Sequence, residues 1–320
     1  MSESTSVSAV VVTWNSERDI VACLDSLVKQ THQIDTIIVI DNASSDNTCN
    51  LVNEHFTQVE LVKNPENIGF AAANNIGIGM TDSEWLLTLN PDARIEPDWV
   101  EALLKYANGK GQVGALGGML YRDQGEKNAD KIIDSTGIEI YQSRRVRDRG
   151  FGEIDRGQYA KDERVFGICA AACLYRRKML EDTKIDSEVF AESFFSYYED
   201  ADLAWRAWRR DWEAYYVPTA VGWHRRGGSP VGSRFSRELT HRSRYWMIAR
   251  NEPQWKMLFG GFGFYWHEVL IFLRMLRYPY LFGTAIRTLL GIGKAARQRK
   301  LLKDISTSRL PFCQGSGFGR

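Results

Sequence analysis

Apolar runs and polar breaks alternate along the first third of the chain, with two different periods. Ser8 to Trp14 (SAVVVTW) is a short β-branched run that predicts a strand. From Ser16 to Thr31 the apolar residues Ile20, Val21, Leu24, Leu27 and Val28 recur at helical spacing. Ser16 and Asp19 are placed to form a capping box at the start of that helix. The alternation repeats as a strand over Thr36 to Ile40, a helix from Asp46 to Phe56, a strand over Val59 to Val62, a helix from Phe70 to Met80 and a strand over Trp85 to Leu89. Strands alternating with helices predict an α/β class, with a mostly parallel central sheet and flanking helices.

Beyond Gly111 the periodicity weakens. VGALGGMLY reads as a further strand, Ile132 to Arg149 as a hairpin-like excursion, and Phe166 to Tyr175 as a buried segment of small residues. Glu199 to Arg210 predicts a helix, and Ala214 to Val217 a strand that ends before Pro218. From Arg237 the chain is helical with a different composition. A boundary is therefore expected near Phe235, between an α/β unit of residues 1–235 and a helical C-terminal region of residues 236–320.

Composition narrows the setting. The 320 residues are 44% hydrophobic and 25% charged, enough for one substantial core plus an appendage. A net charge of +1 provides no global field for nucleic acid, so no nucleic-acid partner is expected. The five cysteines (Cys23, Cys49, Cys169, Cys173, Cys313) form no CxxC pair, and their odd number argues against a disulfide framework. The N-terminal segment MSESTSVSAVVVTW has no basic region and only a brief apolar run, which reads as a first strand and not as an export signal. Both features point to a reducing cytoplasm.

Ligands of an open parallel sheet bind beyond the carboxyl ends of its strands, where loops and helix N-termini converge. Polar residues follow four successive predicted strands: Asn15 the first, Asp41 and Asn42 the second, Asn64 and Asn67 the third, Asn90 and Asp92 the fourth. Any one of them is accounted for equally well by a turn or a helix cap. Their repetition along one rim is not. Asp41 can accept an N–H from a uracil or thymine ring. NPENIGFAAANNIG, Asn64 to Gly77, brings small residues and asparagines to one place, so that backbone can approach a ligand closely, although tight helix packing explains the alanines as well.

Asn90-Pro91-Asp92 sets one carboxylate on a rigid turn, suited to a hard divalent cation that neutralises a leaving diphosphate. His224 in VGWHRRGGS is followed by two arginines and a glycine pair, which suits a further metal ligand, a guanidinium from Arg225 on phosphate oxygens and close backbone approach.

The ordered segments VVVTWN, IIVIDNASSDNT, NPENIGFAAANNIGI, LLTLNPDARIEPDW, FGICAAACLYRR, YYEDADLAWRAWRR and GWHRRGGS resemble the family 2 glycosyltransferases, in particular their bacterial rhamnosyltransferase-like branch. The likeness runs from Ser8 to Ser229. It implies a GT-A fold, to which the helical C-terminal region is an extension, an inverting single displacement and a divalent metal, Mg²⁺ or Mn²⁺, the extension itself being read from the pattern after Arg237. By position, Thr13, Trp14, Asn15 and Asp41 would hold the nucleoside, Asn67, Gly69, Phe70 and Asn74 would line the donor, Asp92 would bind the metal with help from His224, and Asp200 would be the base. Many relatives carry Asp-x-Asp where this chain has Asn90-Pro91-Asp92, so Asn90 faces the donor without a charge and the metal depends more on His224 and the diphosphate. On the predicted helix EDADLAWRAWRR the positive dipole end favours ionised acids, and Arg206 is spaced to pair with Asp202 and leave Asp200 to the reaction.

The branch implies a dTDP-rhamnose donor, with UDP-hexoses and UDP-N-acetylhexosamines as the alternative, and a glycan or lipid-linked glycan of the bacterial surface as acceptor. Two other classes fit less well. A nucleotidyltransferase needs a basic, glycine-rich loop after the first strand, where this chain has VTWNSERD. A glycan-binding module has no need of Asp92, Glu199, Asp200 and His224 together. In the C-terminal region, Phe264 to Phe282 is apolar but interrupted by His267, Glu268, Arg274 and Arg277, which argues against a spanning helix. Arg287, Lys294, Arg297, Arg299, Lys300 and Lys303 follow without an acid, which predicts peripheral attachment to an anionic membrane on its cytoplasmic side. The alternative is a helical hairpin packed on the α/β unit or on a second subunit of a homo-oligomer.

Overall fold

A computed structural model describes residues 5–123, 131–226, 233–253, 261–304 and 310–313. The N-terminal half alternates as the hydrophobic periods predict: β1 (Val7–Thr13), α1 (Ile20–Val28), β2 (Thr36–Asp41), α2 (Thr48–His55), β3 (Glu60–Lys63), α3 (Gly69–Gly79), β4 (Trp85–Leu89), β5 (Ala93–Ile95) and α4 (Trp99–Ala107). Next come β6 (Val113–Arg122), β7 (Ile133–Ser135), β8 (Ile138–Ile140), β9 (Val146–Asp148), β10 (Glu163–Val165) and β11 (Ala172–Arg176). The chain continues with α5 (Arg177–Thr183), α6 (Glu199–Arg209), β12 (Glu213–His224), α7 (Arg234–Asn251), α8 (Gly261–Arg277) and α9 (Tyr280–Arg299).

The central sheet runs β10-β12-β6-β11-β4-β1-β2-β3, with β5 added on β12 and β7 on β6. β4, β1, β2 and β3 are parallel, β11 reverses direction between β4 and β6, and β6 and β12 are again parallel. Both faces are covered, so the strands read as nearly unbroken apolar runs. Val7, Ala9 and Val11 of β1 and Ile37 and Val39 of β2 face α1, α2 and α4, whereas Val10, Ile38 and Ile40 face α3 and the α5–α6 side.

Two local expectations are corrected. The first helix begins at Ile20, four residues after Ser16, and Asp19 at its N-cap makes no side-chain cap. Its carboxylate is drawn instead to Arg225, 206 residues further on, so no capping box forms. The strand expected to stop before Pro218 continues to His224, because a bulge at Val217–Val221 removes the need for an N–H at the proline. Gly118 lies under that bulge, where a Cβ would meet the Ala220 carbonyl at 1.9 Å.

The helical region is fastened to α6 through Asp202. Its Oδ2 accepts from Arg206 Nε at 2.9 Å, while Oδ1 accepts from Arg250 Nε at 3.1 Å and Asn251 Nδ2 at 2.7 Å. Burial opposes a charge on Asp202, but Arg250 and Arg206 outweigh it and hold the carboxyl below its usual range.

Candidate active site

The strand ends deliver the expected residues to one rim. In the parallel register of β1 and β2, Thr13 lies beside Asp41, and Thr13 Oγ1 donates to Asp41 Oδ1 at 2.9 Å. Ser44 adds its hydroxyl at 2.5 Å and its N–H at 2.9 Å to the same carboxylate, which is 2% exposed. Asn15 takes a left-handed conformation (φ 51°) and its Oδ1 accepts the Ser45 N–H at 2.8 Å. This turn leaves the Trp14 indole 49% exposed beside the pocket, a flat face free to stack on a base.

The third loop is tied to the segment before α6. Asn67 Oδ1 accepts the Gly69 N–H at 3.0 Å. Gly69 has φ +88°, and a Cβ there would meet the Phe195 ring at 2.6 Å, so only glycine fits. Phe70 packs edge-on against Phe190 at 6.2 Å. Asn74 is buried within the helix layer, donating to the Phe70 carbonyl at 2.9 Å. Its neighbour Asn75, not singled out from the sequence, clamps the Phe190 backbone with a donor at 2.8 Å and an acceptor at 2.9 Å.

Asp92 and His224 meet because β5 pairs antiparallel with the end of β12, setting His224 opposite Ala93. His224 Nε2 lies 3.2 Å from Asp92 Oδ1 and 3.5 Å from Asn90 Nδ2, and its Nδ1 lies 2.9 Å from Asp134 Oδ2. Burial works against a charged imidazole, yet hydrogen bonds to Asp134 and Asp92 outweigh it and hold the ring up to about 9.

A cation with ligand bonds of about 2.1 Å has neighbouring ligand atoms about 3 Å apart, so this pair could share one Mg²⁺ or Mn²⁺ that displaces the proton from His224 Nε2, with Asp134 fixing the ring. Among the described residues no group of three or more such ligands converges, so diphosphate oxygens and water would complete the shell. Arg225 points back to Asp19 with Nε at 2.8 Å. The Gly227-Gly228 pair and Ser229 lie outside the described residues.

Three of these contacts could not be read from the sequence. Asp134, fully buried on β7, also accepts from Arg226 Nε at 2.6 Å, and Arg226 Nη2 donates to Asp148 at 2.6 Å. The excursion from Ile132 to Arg149 thus supplies two acids, Asp134 beside His224 and Asp148 whose charge acts on Asp200. Their one sequence signal is acids within short apolar runs, IIDS and VRD.

At the base pole, Glu199 and Asp200 open α6 after a segment in which Phe195, Tyr197 and Tyr198 all have positive φ, a strained backbone at the cleft. Asp200 accepts the Ala170 N–H at 3.3 Å and the Ala201 N–H at 2.7 Å. The helix dipole does not decide the charge here as expected. Burial first, and then the Asp148 charge, push Asp200 up to about 6. Burial and the Asp200 charge push Glu199 up to about 8, and Glu199 Oε2 is buried with no hydrogen-bond partner among the described residues. Arg206 pairs with Asp202 as its spacing predicts.

Comparisons with known proteins bear on the family and the fold. Residues 8–184 match the model of glycosyl transferase family 2, more than half of the chain. The chain is 24% identical over 265 residues to the N-acetylglucosaminyl-diphospho-decaprenol L-rhamnosyltransferase of Mycobacterium tuberculosis, covering 77% of this chain and 85% of that one. It is 26% identical over 242 residues to the putative glycosyltransferase EpsH of Bacillus subtilis, covering 74% of this chain and 65% of that one.

Among solved structures, GalNAc-T7 with UDP, GalNAc and Mn²⁺ superposes with a TM-score of 0.56 at 13% identity, over 78% of this chain and 51% of that one. TarS 1–349 of S. aureus in complex with UDP-GlcNAc superposes at 0.50 and 16% identity, over 78% of this chain and 68% of that one. The chain therefore spans about half the length of the first structure. These likenesses identify a GT-A fold, and with the family match the chain belongs to glycosyl transferase family 2.

Proposed function

We propose that this glycosyltransferase is inverting and metal-dependent, and that it moves rhamnose from a dTDP donor to a hydroxyl of a bacterial cell-surface glycan or lipid-linked glycan. The observation that carries the reading is the Asp92–His224 pair at 3.2 Å, braced by Asp134, on the same cleft as Asp200. A divalent cation bound there would neutralise charge on the departing diphosphate. Thr13, Trp14, Asn15 and Asp41 orient the nucleoside, and Asn67, Gly69 and Phe70 border the sugar and diphosphate. Asp200 takes the proton from the acceptor hydroxyl as its oxygen bonds to the anomeric carbon, and the anomeric C–O bond to the diphosphate breaks with its electron pair going to the phosphate oxygen.

Rhamnose and a lipid-linked acceptor are supported by the name of the mycobacterial relative. A UDP-hexose or UDP-N-acetylhexosamine donor is the second reading, supported by the TarS complex with UDP-GlcNAc. A glycan-binding module has no need of two adjacent buried acids with raised proton affinity at the cleft. We take residues 1–235 as the catalytic unit and residues 236–320 as its helical extension, working at the cytoplasmic face of the membrane.

Incubation with dTDP-rhamnose, UDP-glucose and UDP-GlcNAc, with Mn²⁺ or with chelator, tests the reading. Slow release of nucleoside diphosphate that requires the cation and is fastest with dTDP-rhamnose is expected. Release fastest with a UDP-sugar selects the second donor, and none from any donor overturns the enzymatic reading.

A further inference from the structure

Helices α8 and α9 carry their apolar side chains on the outside. On α8, Phe262 (82% exposed), Trp266, Val269, Leu273 and Leu276 recur at three- and four-residue spacing along the outer face, while Phe264, His267 and Met275 turn inward. On α9 the inner face mixes Leu281 and Ala295 with the polar Thr284, Thr288 and Gln298, whereas Ile286 (62%), Leu289 and Leu290 (80%) point outward. The two outer faces adjoin, because the Phe272 ring of α8 lies 6.4 Å from the Phe282 ring of α9. A face of this size and composition is rarely left to water.

We propose that this outer face of α8 and α9 docks on an anionic lipid bilayer, its apolar residues entering the headgroup–acyl boundary. Charge selects this occupant. The exposed cations Arg274 and Arg277 border the face on α8, and Lys294 and Arg297 on α9, followed by Lys300, while Arg287 is also exposed but pairs with Glu238 of α7 at 3.1 Å; α9 contains no acidic residue. The single acid of α8, Glu268, is turned to Arg244 and Tyr245 of α7. A symmetric contact between two copies would set these cations against one another, whereas an anionic leaflet attracts each of them.

Interfacial docking also agrees with helix length and charge, since among the described residues no helix is long and apolar enough to cross a membrane. The face lies one layer from the cleft: α9 packs on α7, and Arg242 of α7 holds the Phe194 carbonyl at 2.8 Å beside the strained segment that leads to Asp200.

The test is flotation of the full chain with phosphatidylcholine vesicles, with and without phosphatidylglycerol. Binding to the anionic vesicles that weakens with salt is expected. Phe262→Glu with Leu290→Glu should lower it about tenfold or more. Lys294→Glu should lower it about fivefold or more, the factor that corresponds to roughly 1 kcal/mol for each cation near such a surface. All of these positions are exposed and remote from the cleft, so release of nucleoside diphosphate from free donor should stay unchanged in each variant. That separates failure of docking from failure of the catalytic reading. No flotation of the wild type at low salt, or equal flotation of the double variant, overturns the proposal. So does a dimer in sedimentation that Leu290→Glu dissolves in the absence of vesicle binding, because the face would then be covered by a second copy.

Discussion

The two poles of the cleft are built by opposite means. At the candidate metal pole the acids have designated partners: Asp134 bridges His224 and Arg226, Asp19 holds Arg225, and Asp92, in the turn before β5, lies against His224. At the candidate base pole Asp200 accepts backbone N–H groups, Glu199 Oε2 has no hydrogen-bond partner among the described residues, and three of the four residues from Phe195 to Tyr198 have positive φ. Pairing preorganises a site to hold charge. Burial without a cation raises the affinity of a carboxylate for a proton, which is what a group that must accept one during the reaction requires.

The largest effect that would break this contrast lies at Asp200. Asp200→Asn should lower transfer by about two to four orders of magnitude while nucleotide and metal binding persist. In the parent enzyme kcat/KM should rise with pH through about 6, as Asp200 loses its proton, and this limb should vanish from the residual activity of the variant. Near-normal turnover would move the base to another acid.

Next comes the pairing that defines the metal pole. Asp92→Ala should abolish the cation dependence of dTDP and UDP binding, read by calorimetry. Asp134→Asn leaves both direct ligands in place and removes only the brace on His224, so Mn²⁺-dependent nucleotide affinity should fall about 10- to 100-fold, as for other partners of a metal-bound histidine. Unchanged affinity in Asp134→Asn would mean that the brace is packing and nothing more.

The smallest effect concerns stability. Glu199 is raised from 4.5 to about 8 in the folded chain, so both states are protonated below pH 4.5 and no cost arises there. Between 4.5 and about 8 the unfolded chain releases the proton that the folded chain retains, and stability falls as pH rises. Glu199→Gln has no such loss. Its melting temperature should move above that of the parent as pH goes from 5 to 8, and a gap that stays constant with pH would show that Glu199 has an ordinary affinity for its proton.

Much of this was written in the local pattern. The periods of two and 3.6 located β1 to β4 and α1 to α3 within a few residues, and the strand-end polar residues fell on one rim because a parallel sheet leaves them no other place. What the pattern lacked was pairing at long range. Asp134 meets His224 across 90 residues and Asp19 meets Arg225 across 206, and nothing local distinguishes either acid from an exposed one or from a helix cap. The strain before α6 was hidden for another reason: FFSYY contains no glycine to announce positive φ. Burial in turn overruled the helix dipole at Glu199, since the depth of a residue depends on the whole fold.

Asp202 has one further consequence, for how such proteins are assembled from parts over evolutionary time. Its carboxylate serves Arg206 on its own helix and Arg250 and Asn251 on α7, all in the dry interior. An insertion, fusion or exchange that separated α7 from the sheet would leave the buried Asp202 Oδ1 without its Arg250 and Asn251 donors, at a cost of about 1–3 kcal/mol, on the helix whose first turn contains Asp200. An exchange of sequence that begins after Asn251 leaves these donors in place and is expected to disturb the first turn of α6 less than one that begins before α7.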